Sequence, residues 1–133
     1  MTFALEHIRV HDVMHPGILG CAPDTPLGEV AAIMAKHRVH AVLANGDSTH
    51  APGVVSDLDV VAAITTRPEP TAARIAATEP LAVSSAERLD RAARLMAEHG
   101  VSHLVVVDSA GGQPVGVLST LDLAAVYAAE RAR

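Results

Sequence analysis

The chain is predicted to be a mixed α/β (α+β) protein assembled from two copies of a β-α-β-β-α unit. Three observations carry that prediction. The phrase Gly53-Val54-Val55-Ser56-Asp57-Leu58-Asp59 returns in the same register as Gly116-Val117-Leu118-Ser119-Thr120-Leu121-Asp122, 63 residues later. Upstream, Leu27, Met34, His37 and Val39 return as Leu89, Met96, His99 and Val101 at a spacing of 62. Between these landmarks each copy carries a β-type run, residues 39–44 and 101–107. Self-similarity at a long fixed period marks a structural repeat, and a single extra loop residue accounts for the change in spacing.

The elements follow in order. Leu27, Val30, Ala31 and Met34 fall at i, i+3, i+4 and i+7, as do Leu89, Ala92, Ala93 and Met96, which predicts one apolar helix face in each copy. Ser84-Ser85-Ala86-Glu87 has the form of a capping box for the second helix. Asp24-Thr25-Pro26 offers the first helix a cap followed by a proline tolerated in the opening turn. Gly100 stands where the second helix should stop. The runs that follow are rich in Val and Leu without alternation, which predicts sheets covered by helices on at least one face. Turn-forming residues come next, Asn45-Gly46-Asp47 extending to Gly53 in one copy and Asp108 to Gln113 in the other. The repeated phrase itself predicts a short buried strand breaking into a helix whose first turn carries a hydroxyl and a carboxylate.

These boundaries assign residues 1–12 to a lead segment, 13–64 to the first repeat, 65–74 to a linker containing Pro68 and Pro70, and 75–133 to the second repeat. Each repeat is about 60 residues, too few to bury its apolar helix face comfortably alone. The two are therefore expected to pack together about a pseudo-two-fold axis.

Composition excludes several function classes. Half of the 133 residues are apolar, enough for a core without disulfides or metal. No apolar run approaches the roughly 18 residues of a membrane span, and Glu6, His7 and Arg9 break the pattern of a signal peptide. A cytoplasmic protein without membrane partners is expected. Cys21 is the only cysteine, so it reads as a small buried hydrophobe rather than a reactive thiol or part of a zinc cluster. The net charge is −5, with one lysine and nine arginines, which supplies no basic stripe for nucleic acid. Phe3 and Tyr127 are the only aromatic residues, too few for a base-stacking platform. Ala, Arg and Val usage indicates a GC-rich bacterial coding sequence. Any base this protein holds must lie between aliphatic side chains and backbone.

The residues of the phrase have a chemistry of their own. A carboxylate accepts two hydrogen bonds from a cis-diol, and amides at a helix start attract anionic oxygen, so a diol and a phosphate find partners within one turn. The preceding glycine permits close backbone approach, and the valines supply an apolar wall for a purine. The same pattern is also close to a plain capping box, which needs no ligand. Both readings stay open at this point.

Two β-α-β-β-α copies, each ending Gly-h-h-Ser-x-x-Asp, resemble a pair of CBS domains (named for cystathionine β-synthase), together a Bateman module, and the resemblance covers nearly the whole chain. Asp12-Val13-Met14-His15-Pro16 resembles the family's lead-in phrase, where Thr commonly stands at the place of His15. The family's frequent Pro-Val in the β run is replaced by Leu43-Ala44 and Val105-Val106. The resemblance implies two clefts between the repeats, often filled by AMP, ADP, ATP or S-adenosylmethionine as a regulatory ligand, and modules that join into disc-like homodimers. It gives Asp59 and Asp122 the ribose hydroxyls, and Ser56, Ser119 and Thr120 a share of ribose or phosphate. Adenine is placed against Val54 or Val117, against His40-Ala41 or Ser102-His103, and against the opposite copy's first strand near Leu19 or Leu81-Ala82.

The copies differ where His37-Arg38 in one faces His99-Gly100 in the other, so Arg38 alone offers a guanidinium to a phosphate. Few cations are present overall, which favours a mono- or diphosphate or an uncharged-tail adenosine compound over a triphosphate. Arg88, Arg91 and Arg94, at helical spacing with Glu87 and Asp90, read as a solvated face. His7, His11 and His15 recur every four residues, but Pro16 and Gly17 put His15 at or beyond a helix end, and surface or capping roles outweigh metal ligation. His40 and His103 read first as core histidines with a backbone partner.

No nucleophile elbow, lysine-bearing phosphate loop, HExxH or paired carboxylates occur, so an enzyme is not expected. The leading expectation is a stand-alone nucleotide-sensing module whose occupancy alters its dimer surface or its affinity for an unidentified protein partner, with no cofactor required. A ligand-independent dimerisation scaffold is the alternative, and a metal- or redox-responsive sensor using the N-terminal histidines and Cys21 is the third.

Overall fold

A computed structural model of the chain describes residues 4–48, 52–77 and 81–132. Two short 3-10 turns, Ala4–His7 and Val10–Asp12, lead into β1 (His15–Pro16), β2 (Gly20–Cys21), α1 (Leu27–His37), β3 (Ala41–Ala44), β4 (Gly53–Ser56) and α2 (Asp57–Ala63). After α3 (Ala72–Ile75) come β5 (Ala82–Ser84), α4 (Leu89–His99), β6 (His103–Val107), β7 (Pro114–Ser119) and α5 (Thr120–Arg131). The chain forms two compact units, Ile18–Pro80 and Met1–Gly17 with Leu81–Arg133.

In the Ile18–Pro80 unit the sheet order is β2-β3-β4, parallel and then antiparallel, and Ala77 bridges Val54 on the far side of β4. Its core is Cys21, Val30, Met34, Val42, Ala44, Val55 and Ala72. In the other unit the order is β1-β7-β6-β5, with His15 opposite Val117. Its core contains Val83, Ala92, Met96, Leu104, Val106, Leu118 and Val10, the same seven positions in the same order, together with Leu89. The repeat is thus a repeat of buried contacts: methionine is kept at Met34 and Met96, and the other positions exchange valine for leucine, alanine or cysteine, so apolar character rather than exact volume is what recurs.

The sheet registers locate the extra residue. Ala44 faces Gly53, whereas Val106 faces Gly116, so the second copy's inter-strand loop is longer by one. A β-bulge between Val106 and Val107 accommodates it. The predicted turn at residues 108–113 is present, with Asp108 Oδ1 accepting the amides of Ala110, Gly111 and Gly112. The matching turn of the first copy runs partly through residues 49–51, outside the described residues.

Both predicted helix starts require correction. α1 has Pro26 at its N-cap with no side-chain cap; its first amides go instead to Pro70 O at 3.0 Å from Leu27 N and to Glu69 Oε2 at 3.1 Å from Gly28 N. The Ser84 hydroxyl closes a local turn on Ala86 N, and α4 begins later, with Leu89 N donating to Ile8 O at 2.8 Å. Local capping signals lost to distant ones because residues 8–11 and 70–73 dock onto the helix starts with matching hydrogen bonds. Val10 and His11 amides reach the carbonyls of Glu87 and Ser85, and Ala72 and Ala73 amides reach those of Thr25 and Pro23. The segment expected to be a linker therefore caps a helix and contains most of α3. Gly100 ends α4 in the left-handed conformation, as predicted, and Arg38 adopts the same conformation at the end of α1.

The candidate ligand site

Each repeated phrase folds as a strand that turns into a helix at its serine. Ser56 and Ser119 are extended N-caps and are buried. Ser56 Oγ accepts Asp59 N at 3.0 Å while Asp59 Oδ2 accepts Ser56 N at 2.8 Å. Ser119 and Asp122 repeat the box at 3.2 and 2.9 Å. The capping pattern is therefore real in both copies, and each aspartate has one oxygen committed to it. Asp59 Oδ1 has no hydrogen-bond partner among the described residues. Asp122 Oδ1 lies 2.9 Å from Nε2 of His15.

The helix-start amides are less available than the sequence implies. Asp57 N donates to His40 O, Leu58 N to Asp57 Oδ1, and Asp59 N to Ser56 Oγ, so the first three amides of α2 are occupied. In α5, Thr120 N goes to Ser102 O and Asp122 N to Ser119 Oγ. The glycines also act differently. A Cβ at Gly53 would meet Ala77 O at 2.8 Å, and one at Gly116 would fall against His15 O. The close approach each glycine permits is that of a crossing backbone segment, β1 at Gly116 and Ala76-Ala77 at Gly53.

The other predicted contacts divide between the units. Leu19, Arg38, His40, Ala41, Val54, Ser56 and Asp59 belong to the Ile18–Pro80 unit. Ala41 is buried opposite Ser56 on β3, and Leu19 is exposed beside β3, its carbonyl accepting Leu43 N. His40 is exposed, its Nδ1 2.9 Å from Asp57 Oδ2, so it is not a core histidine; Asp57 is a charged neighbour that the sequence pattern did not single out. Arg38, His40 and Asp57 line a shallow hollow of about 580 Å³ over α1 and α2, floored by Met34 and Val60 and without Ser56 or Asp59 in its wall. Leu81, Ala82, Ser102, His103, Val117, Ser119, Thr120 and Asp122 belong to the other unit. His103 is half-buried opposite Ser119, with Nδ1 3.2 Å from Ser102 Oγ. Leu81 O accepts Val105 N, Ala82 pairs with Val105, and Thr120 is exposed.

The N-terminal histidines do not share a helix face. His7, His11 and His15 contact Glu6, Asp12 and Asp122 respectively. Among the described residues no three His, Cys, Asp or Glu side chains converge on a metal-sized point. Burial pushes the Cys21 thiol up, partly offset by a hydrogen bond with Thr25, away from the thiolate that redox chemistry needs. Arg88 is not simply solvated; its guanidinium forks onto Asp90 at 3.0 and 2.6 Å and lies 3.9 Å from Glu6. No helix among the described residues is long and apolar enough to cross a membrane.

The CBS domain family matches residues 10–66 and again 72–129. No curated protein shows significant similarity to the chain. Among solved structures, a CBS domain protein from Pyrobaculum aerophilum complexed with AMP is 29% identical, with a TM-score of 0.76 over 95% of this chain and 100% of that one. CBSX2 in complex with AMP is 26% identical, with a TM-score of 0.73 over 94% and 98%. The CBS domain pair of protein MJ0100, solved with methylthioadenosine and S-adenosyl-L-methionine, shares the fold at a TM-score of 0.79 and 19% identity over 92% and 97%.

Proposed function

The chain belongs to the CBS domain family, carrying two CBS domains in tandem, and from that premise we propose that it is a regulatory, non-catalytic module that binds an adenosine nucleotide, AMP foremost, at its Ser-x-x-Asp phrases. The observation that carries this reading is the likeness, along nearly its whole length, to two AMP complexes at 26% and 29% identity. The chemistry is compatible with it. Asp59 keeps one carboxylate oxygen for a ribose diol while the other caps α2, and Val54 provides an apolar wall beside it. The occupied amides of α2 leave a phosphate to side chains, which favours AMP over ADP or ATP and leaves S-adenosylmethionine, whose tail carries no phosphate, as the alternative. Occupancy is read out by a homodimer or a protein partner. Leu58, Val61 and Ile64 at α2 in one unit, and separately Leu121 on α5 in the other, are exposed apolar residues of the kind such a contact uses, and light scattering with and without AMP tests it.

The deciding experiment is a thermal-shift and calorimetric titration of ligand-stripped protein with AMP, ADP, ATP and S-adenosylmethionine. AMP at a hundred times its dissociation constant stabilises a protein by about 2.7 kcal/mol. Asp59→Asn should weaken that binding while keeping the cap. A second reading, a ligand-independent scaffold, draws on the two capping boxes that are complete without ligand. Absence of a shift with all four compounds establishes that reading instead.

A further inference from the structure

The two Ser-x-x-Asp phrases are nearly identical in sequence, but the segments that cross them are not. His15 lies opposite Val117, and Ala77 lies opposite Val54. The two are equivalent by register, since Val54 and Val117 hold the same place in the repeated phrase. Their carbonyls also occupy the same space beside Gly53 and Gly116. One position thus carries an imidazole in one unit and a methyl group in the other. The imidazole uses the difference: Nε2 of His15 is 2.9 Å from Asp122 Oδ1, the oxygen not engaged in the capping box. An N–H at that distance makes the same contact that a ribose hydroxyl would make. Alanine has no donor, and Asp59 Oδ1 has no partner among the described residues.

We infer that His15 is a specificity-determining residue that makes the two sites unequal, holding the diol-accepting oxygen of Asp122 so that the Asp59 site fills first and the Asp122 site fills only by displacing the imidazole. This rests on the adenosine-binding reading above. The His15 side chain is 72% exposed and Asp122 only 12%, so displacement is a rotation of the imidazole into solvent with the carboxylate unmoved. An exposed pair of this kind is worth less than about 1 kcal/mol, which sets the handicap of the Asp122 site at up to about fivefold in affinity.

The test isolates each site in full-length protein and follows AMP by calorimetry. In Asp59→Asn protein, where only the Asp122 site remains, His15→Ala should tighten AMP by about two- to fivefold. In Asp122→Asn protein, where only the Asp59 site remains, His15→Ala should change nothing, and Ala77→His should weaken AMP by a similar factor. A double-mutant stability cycle between His15→Ala and Asp122→Asn, in the absence of nucleotide, should show favourable coupling. AMP binding to wild-type protein with no response to His15→Ala at the isolated Asp122 site overturns this inference alone. Weaker binding there on His15→Ala also overturns it, because His15 would then be a ligand contact. No AMP binding in any variant overturns both this inference and the function it rests on.

Discussion

Removing the phrase aspartates should destabilise the protein even when no ligand is present. In Asp122→Ala the amide of Ser119, a residue 5% exposed, loses its acceptor at 2.9 Å. A buried donor left unsatisfied costs about 1–3 kcal/mol. The contact with His15, exposed on one side, adds less than about 1 kcal/mol. Loss of a negative charge from the first turn of α5 adds about 0.3–1 kcal/mol. The expected total is about 3 kcal/mol for Asp122→Ala, and about 2 kcal/mol for Asp59→Ala, which has no histidine to lose. With an unfolding entropy of about 2.1 cal/mol/K per residue, a chain of 133 residues moves by about 4 °C for each kcal/mol. Melting followed by circular dichroism on ligand-free protein should therefore fall by about 12 °C for Asp122→Ala and about 8 °C for Asp59→Ala. The asparagine variants keep an oxygen for the serine amide and should lose less than half as much. Alanine variants that melt within about 2 °C of wild type would refute the capping account. Asparagine variants as damaged as alanine would show that charge, not the hydrogen bond, carries the effect.

Further outcomes follow from the same geometry. Gly53→Ala and Gly116→Ala drive a Cβ into the backbone of Ala77 and His15, and urea denaturation should show each less stable by about 1–3 kcal/mol. Arg38→Gly should raise stability by about 1 kcal/mol in the same assay, because Arg38 holds φ 54° at the end of α1 where glycine pays no Cβ penalty. Hydrogen bonds from Arg88 hold the Asp90 carboxyl below its ordinary range. Because the folded value is the lower one, this pair contributes above the unfolded carboxylate value of about 3.9, and the contribution is lost as pH falls through the folded value. NMR titration of Asp90 checks the direction, and Arg88→Ala should return the carboxyl toward its ordinary value.

Much of the fold was legible because the buried positions repeat. Leu27, Val30 and Met34 in α1 and Leu89, Ala92 and Met96 in α4 are buried as their spacing predicts, since periodicity reports which face of a helix leaves water. The helix starts were not legible. Asp24-Thr25-Pro26 and Ser84-Ser85-Ala86-Glu87 are sound local signals, yet the amides they were expected to satisfy are taken by Pro70, Glu69 and Ile8, residues brought in by tertiary docking. A local pattern cannot register a competitor 41 or 81 residues away.

The candidate site divides along the same line. Sequence alone determined the tandem architecture, the two Ser-x-x-Asp phrases and the reciprocal caps they form, because a capping box closes within four residues and needs nothing distant. Only tertiary structure decided what surrounds those caps. It brought His15 to Asp122 across 107 residues, gave Ala77 the corresponding place beside Val54, paired His40 with Asp57, and gave the Asp57 amide at the head of α2 to the carbonyl of His40. The reason is physical: the second oxygen of each carboxylate is directed by whichever strand crosses the phrase, and antiparallel pairing between remote segments sets which residue that strand presents.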